Sequence, residues 1–122
     1  MNKKLEVSML YDFYKELLTE KQADAINLYY NQDLSLSEIS EDLNITRQGV
    51  RDCIKRGERF LYELEQRMGL VDRFMKIQNS IKLVNDAISD VKRLNDQVLH
   101  SEELNEKINL IKAVIDDIIE KV

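Results

Sequence analysis

The chain has no proline and no tryptophan, and its 122 residues include only three glycines, one cysteine and one histidine. Each absence removes a class of structure or chemistry. Without proline and with so little glycine, long stretches hold nothing that interrupts a helix. The 34% of charged residues, set among abundant Leu and Ile, point the same way, to an all-α fold of one small domain with an extension. Cys53 has no second cysteine for an internal disulfide, and His100 lies too far along the chain to complete a zinc-ligand spacing. Cys53 is therefore expected to be a small packed side chain, and His100 an exposed, silent imidazole in a turn. There is no glycine-rich phosphate loop, no H-E-x-x-H, and no histidine spaced with a nucleophile and a carboxylate, so neither an enzyme nor a cofactor is expected. At the N-terminus, Glu6, Asp12 and Glu16 break up the apolar run. Neither a signal peptide nor membrane insertion is expected, and the location should be cytoplasmic.

What is present reads as a succession of capped helices. Leu5, Met9, Phe13 and Leu17 recur every four residues and place one apolar face on a first helix. Thr19 with Gln22 three residues on has the form of a capping box, opening a second helix to about Tyr30 that buries Ala23, Ile26 and Tyr29 or Tyr30. "NQD" at 31–33 is turn chemistry. Ser35 with Glu38 repeats the box for a third helix ending near Leu43, and Thr46 caps a fourth. Between them Asn44 occupies the position that needs a positive φ angle, which Asn tolerates better than most residues. Ile39, Leu43, Ile45, Val50 and Ile54 can close on one core, with small Ser40 allowing close approach and Gly57 and Leu61 continuing the face. That is the pattern of a helix-turn-helix.

The fourth helix then carries the candidate site. With Val50 facing the core, Arg47, Arg51, Lys55 and Arg59 follow every four residues along the outer flank, Gln48 stands beside them and Arg56 lies further round. Residues 46–59 hold five basic and two acidic side chains on a chain whose net charge is −5. A basic recognition helix on an acidic body suits nucleic acid: Arg reaches phosphates or pairs guanine in two places, and Gln48 suits adenine. The other arrangement is a solvated face whose cations pair with acids such as Glu58 and Glu63. Asp52, near the middle of the presumed reading face, would repel phosphate, and the pI of about 5.0 is low for a dedicated DNA-binding domain.

After Leu64 the character changes. Gly69 in "MGL" suits a left-handed C-cap, dividing the chain into a helix-turn-helix domain, 1–68, and a C-terminal extension, 69–122. Phe74, Ile77, Ile81, Val84, Ile88, Val91 and Val98 form a heptad-like stripe interrupted by Asn95. Ser101 caps a last helix carrying Leu104, Ile108, Ile111, Ile115, Ile118 and Val122. These two helices should form an antiparallel hairpin with apolar surface left over. A homodimer would cover it, unless Leu5, Phe13 and Phe60 absorb the surplus within one chain.

Residues 17–61, "LLTEKQADAINLYYNQDLSLSEISEDLNITRQGVRDCIKRGERFL", resemble region 4 of bacterial sigma factors, the four-helix module that reads the −35 promoter element. "LYDFYKELLTEKQ", "LYYNQDLSLSEIS", "ITRQGVRDCIKRGERFL" and "MGLVDRF" are similar, more closely, to the YlxM family of small bacterial proteins, over residues 5 to about 74. That family's gene commonly neighbours those for the GTPase of the signal recognition particle and its receptor. The resemblance implies a non-enzymatic accessory role in protein targeting, with the particle's GTPase or its RNA as partner. It brings no catalytic residues and places nucleic-acid contacts at the recognition-helix positions Arg47, Gln48, Arg51, Lys55 and Arg56. A DNA-binding transcription regulator is the alternative. A role as an initiation factor itself is not expected, since these 122 residues hold no counterpart of the companion regions with which a sigma factor binds polymerase.

Overall fold

In a computed structural model that describes residues 2–121, six α-helices run as α1 (Lys3–Tyr14), α2 (Glu20–Ile26), α3 (Leu36–Leu43), α4 (Arg47–Met68), α5 (Leu70–Leu94) and α6 (Glu102–Lys121). A 3₁₀ turn at Lys15–Leu17 and wide π turns at Asn27–Asn31 and Asn95–Leu99 complete the helical backbone. The all-α expectation holds. Two compact units are present, Met1–Asp72 and Arg73–Val122.

In the first unit α4 is the central post, and α1, α2 and α3 each pack against it. The local signals act as the sequence suggests. Thr19 and Ser35 each close a full capping box, with Gln22 and Glu38 reaching back to the cap N–H. Asn44 ends α3 at φ 55°, and Gly69 ends α4 at φ 63°. The "NQD" turn carries a further left-handed residue, Asp33 at φ 57°, which is ion-paired to Lys4.

The core comprises Val7, Leu10, Tyr14, Leu18, Ala25, Ile26, Tyr30, Ile39, Val50, Ile54 and Leu61. α1 departs from the expected face. Its buried side is Val7, Leu10 and Tyr14, whereas Leu5 and Leu17 are 59% and 54% exposed. A strict four-residue spacing drifts by about 40° per step, so Leu5, Met9 and Phe13 wind around the helix and Leu17 lies past its end in the 3₁₀ turn, while alternating steps of three and four stay on one side. In α2 and the turn after it the buried residues are Ala25, Ile26 and Tyr30, with Ala23 half-buried and Tyr29 exposed. The π turn that follows Ile26 sets this register, turning Tyr30 inward and Tyr29 out. Gly57 is needed where α2 crosses α4: a Cβ there would lie 2.5 Å from Cδ1 of the fully buried Ile26. Phe13 and Phe60 also remain at the surface, each 37% exposed.

A polar junction fixes the passage from α4 to α5. The Glu65 carboxylate accepts from the Tyr14 hydroxyl (2.6 Å) and from the backbone N–H groups of Val71 (3.0 Å) and Asp72 (2.9 Å). The Tyr14 hydroxyl accepts in turn from the Leu70 N–H at 3.2 Å. Glu65 thus caps the next helix from the end of the previous one.

In the second unit α5 and α6 run antiparallel, linked by Lys112 to Ser89 (3.3 Å) and by Lys92 to Asn105 (3.5 Å). Asn95, which interrupts the stripe in the sequence, is 2% exposed and closes the connection. Its side chain accepts from the Ser101 N–H (2.8 Å) and donates to the Ser101 carbonyl (3.0 Å). His100 takes the left-handed position at φ 50°, and Ser101 caps α6 by accepting from the Leu104 N–H. Only Ile108 and Ile115 are buried apolar residues among those described here. Val122 lies outside the described residues. Among those described, no helix is long and apolar enough to cross a membrane.

Candidate nucleic-acid interface

The site is built from the start of α4. Asn44 turns the chain sharply after α3, and the Thr46 hydroxyl accepts from the Gly49 N–H at 2.9 Å, starting α4 at Arg47. Val50, Ile54, Gly57 and Leu61 anchor one side of α4 in the core. The opposite side is thereby committed to solvent. Arg47, Gln48, Arg51, Lys55, Arg56 and Arg59 are all exposed.

These six do not form one cluster. Arg47, Gln48 and Arg51 border a shallow hollow of about 200 Å³ beside Leu36, the first residue of α3. Arg51 and Lys55 border a second of about 250 Å³, with Lys3, Tyr29, Tyr30 and Glu58. Arg56 and Arg59 line neither. The reason is the same drift that winds the apolar residues of α1: four-residue steps carry Arg47 to Arg59 through about 120° of the helix circumference.

The charges are disposed in a way that composition could not reveal. Glu58 borders the same hollow as Arg51 and Lys55 but makes no ion pair with them. It pairs with Lys3 of α1 at 3.3 Å and accepts from the Tyr30 hydroxyl. Burial, and then that hydrogen bond, hold the Tyr30 phenol well above its ordinary pKa. No ion pair among the described residues involves Arg47, Arg51, Lys55, Arg56 or Arg59. Gln48 donates to Asp52 at 3.1 Å. Its amide N–H is thus engaged one turn along the helix, and the Asp52 carboxylate is partly satisfied. Lys3 and Tyr29 escape a reading of the sequence because they reach the hollow only when α1 and the π turn dock on α4. No local pattern announces that. Cys53 is a half-buried free thiol packed on the core, and no group of potential metal ligands is present among the described residues.

Residues 1–102 match the family described as "UPF0122: Putative helix-turn-helix protein, YlxM / p13 like". The chain belongs to that family. A UPF0122 protein of Acetivibrio thermocellus is 46% identical over 87 residues, covering 70% of this chain and 74% of the relative. UPF0122 proteins of Bacillus cereus strain AH187 and Bacillus anthracis strain A0248 are each 37% identical over 109 residues, covering 89% of this chain and 99% of the relative. The helix-turn-helix family points to nucleic-acid binding as the general function. The family match runs past the basic module to the start of α6, so much of the helical tail is part of what the relatives share.

Proposed function

We propose that the protein is a non-enzymatic accessory factor of signal recognition particle-dependent protein targeting. It binds the particle's RNA, its GTPase, or both, through the basic face of α4, and it acts in the cytoplasm as a homodimer. The observation that carries the nucleic-acid part is the set of five exposed cations on α4 without an ion-pair partner among the described residues. Cations left unpaired on a surface that a packed core holds in place are available to phosphates, and neutralising phosphates releases counterions. Arg51 is the centre of this face, since it borders both hollows. The targeting part is supported by the resemblance to the YlxM family. Docking into duplex DNA is the second reading, favoured by the geometry of α3 and α4 as a helix-turn-helix. Asp52 and the engagement of Gln48 weigh against base readout at the start of α4.

The two readings separate on a gentle purification of the tagged protein from its own cytosol, with identification of co-purifying protein and nucleic acid. Recovery of the targeting GTPase or its RNA, lost in the Arg51→Glu/Lys55→Glu variant, supports the accessory role. Recovery of discrete chromosomal fragments alone refutes it in favour of DNA regulation.

A further inference from the structure

The hairpin of α5 and α6 leaves half of its apolar pattern unused. Ile77, Val84 and Val91 recur every seven residues on α5, and Ile111 and Ile118 do so on α6 with Val114 between them. All six are 37–53% exposed. Within the hairpin the inward positions are others: Ile81 and Ile88 on α5, Asn95 at the start of the π turn after it, and Ile108 and Ile115 on α6. At about 100° per residue, the heptad-spaced exposed residues are offset from the inward set by about 40–60°, and Val114 by about 100°, in the same rotational sense on each helix seen from its own N-terminus. For antiparallel helices, offsets of the same sense fall on the same side of the pair. The six side chains therefore form one apolar face two helices wide.

From this geometry we infer that the face is covered by the same face of a second copy, giving a twofold four-helix bundle. Three observations select that occupant. The second unit buries only two apolar side chains among its described residues, Ile108 and Ile115, too little core for a fifty-residue helical hairpin to hold itself together. A seven-residue apolar repeat matches another helix with the same repeat, and each copy presents two such helices. The exposed area is also of the right size. A fully buried aliphatic side chain accounts for roughly 60–120 Å², so six half-exposed ones offer on the order of 200–350 Å² of apolar area per copy. Doubled across a twofold axis, and with the polar share that interfaces carry, this reaches about 700–1,200 Å². That area lies at the small, weak end of specific interfaces, and the dimer brings two copies of the basic α4 into one particle.

This deepens the dimer within the proposed function and is independent of its nucleic-acid part, because mass is measured with protein alone. Sedimentation equilibrium of the full chain from about 1 to 200 µM should show a transition from 14.4 kDa to twice that mass. Val91→Glu and Ile111→Glu should each weaken dimerisation at least about a hundredfold, since each would bury an unpaired carboxylate. Leu83→Glu, 71% exposed on the outer side of α5, should leave it unchanged. Both target positions are exposed in the monomer, and circular dichroism checks that the variants keep their helices. A wild-type monomer at 200 µM overturns the inference. So does a dimer that survives both face variants.

Discussion

Replacing Glu65 by Gln tests whether the α4–α5 junction is held by a charged cap rather than by Gly69 alone. The carboxylate accepts three hydrogen bonds, from the Tyr14 hydroxyl and the Val71 and Asp72 N–H groups. Its pKa results from opposed effects. Partial burial raises it, but the hydrogen bond from Tyr14 and those from Val71 and Asp72 outweigh burial and leave it below the ordinary value. Gln keeps the shape but not the charge, and its single carbonyl oxygen cannot accept all three bonds well. Hydrogen bonds to a charged group contribute about 1.5–3 kcal/mol and a helix cap about 1. With Asp72 open to water, a net loss of about 2 kcal/mol is expected. Urea unfolding followed by circular dichroism measures this, and Tyr14→Phe should cost a similar amount. Because the two act through one bond, the double variant should lose about 1 kcal/mol less than the sum of the singles. The acid side gives a second readout. A depressed carboxylate stabilises the fold above the unfolded pKa of about 4.3, and that contribution disappears as pH falls through the folded value. Glu65→Gln should therefore flatten the loss of stability in acid. Single variants costing less than about 0.5 kcal/mol, or strict additivity between them, would refute the shared bond.

At Asn44, φ 55°, substitution by Val should cost about 1–2 kcal/mol in thermal or urea unfolding while Gly costs little. At Gly69, φ 63° with open space where a Cβ would stand, Ala should cost about 1 kcal/mol through backbone strain alone. Asp52→Asn removes a negative charge from the basic face and should tighten nucleic-acid binding several-fold at low salt, an effect that fades at high salt in anisotropy titrations. On the alkaline side, Tyr14 and Tyr30 have raised pKa values, chiefly by burial, so stability should fall as pH rises above about 10. Tyr30→Phe should reduce that fall in an unfolding series between about pH 8 and 11.

The elements legible in the sequence are those that a few neighbouring residues determine. Thr19 with Gln22, Ser35 with Glu38, Thr46, Asn44, Gly69 and Ser101 each act on their own helix end, and each does so in the structure. The core side of α4 is legible for the same reason, since Val50, Ile54 and Leu61 keep to one side of a single helix. Long-range choices are not. Leu5, Phe13 and Leu17 look as apolar as Val7, Leu10 and Tyr14, and only docking on α4 selects the second set. Lys3 reaches Glu58, and Tyr14 reaches Glu65, across more than fifty residues of chain. The basic face is visible as a run of residue types. Its division into Arg47, Gln48 and Arg51 at one hollow and Arg51, Lys55 and Lys3 at the next depends on where α1 and α3 lie.

The basic face of α4 is tested most directly by anisotropy titration of a labelled RNA hairpin with the full chain over a series of salt concentrations. The wild type should bind at low salt and lose affinity linearly on a log–log plot, with a slope of about −3 to −4 if four phosphates are neutralised. Arg51→Glu/Lys55→Glu should weaken binding at least about tenfold and flatten the slope by about two. Binding that is insensitive to salt, or unchanged by the charge reversal, would contradict a nucleic-acid interface on α4.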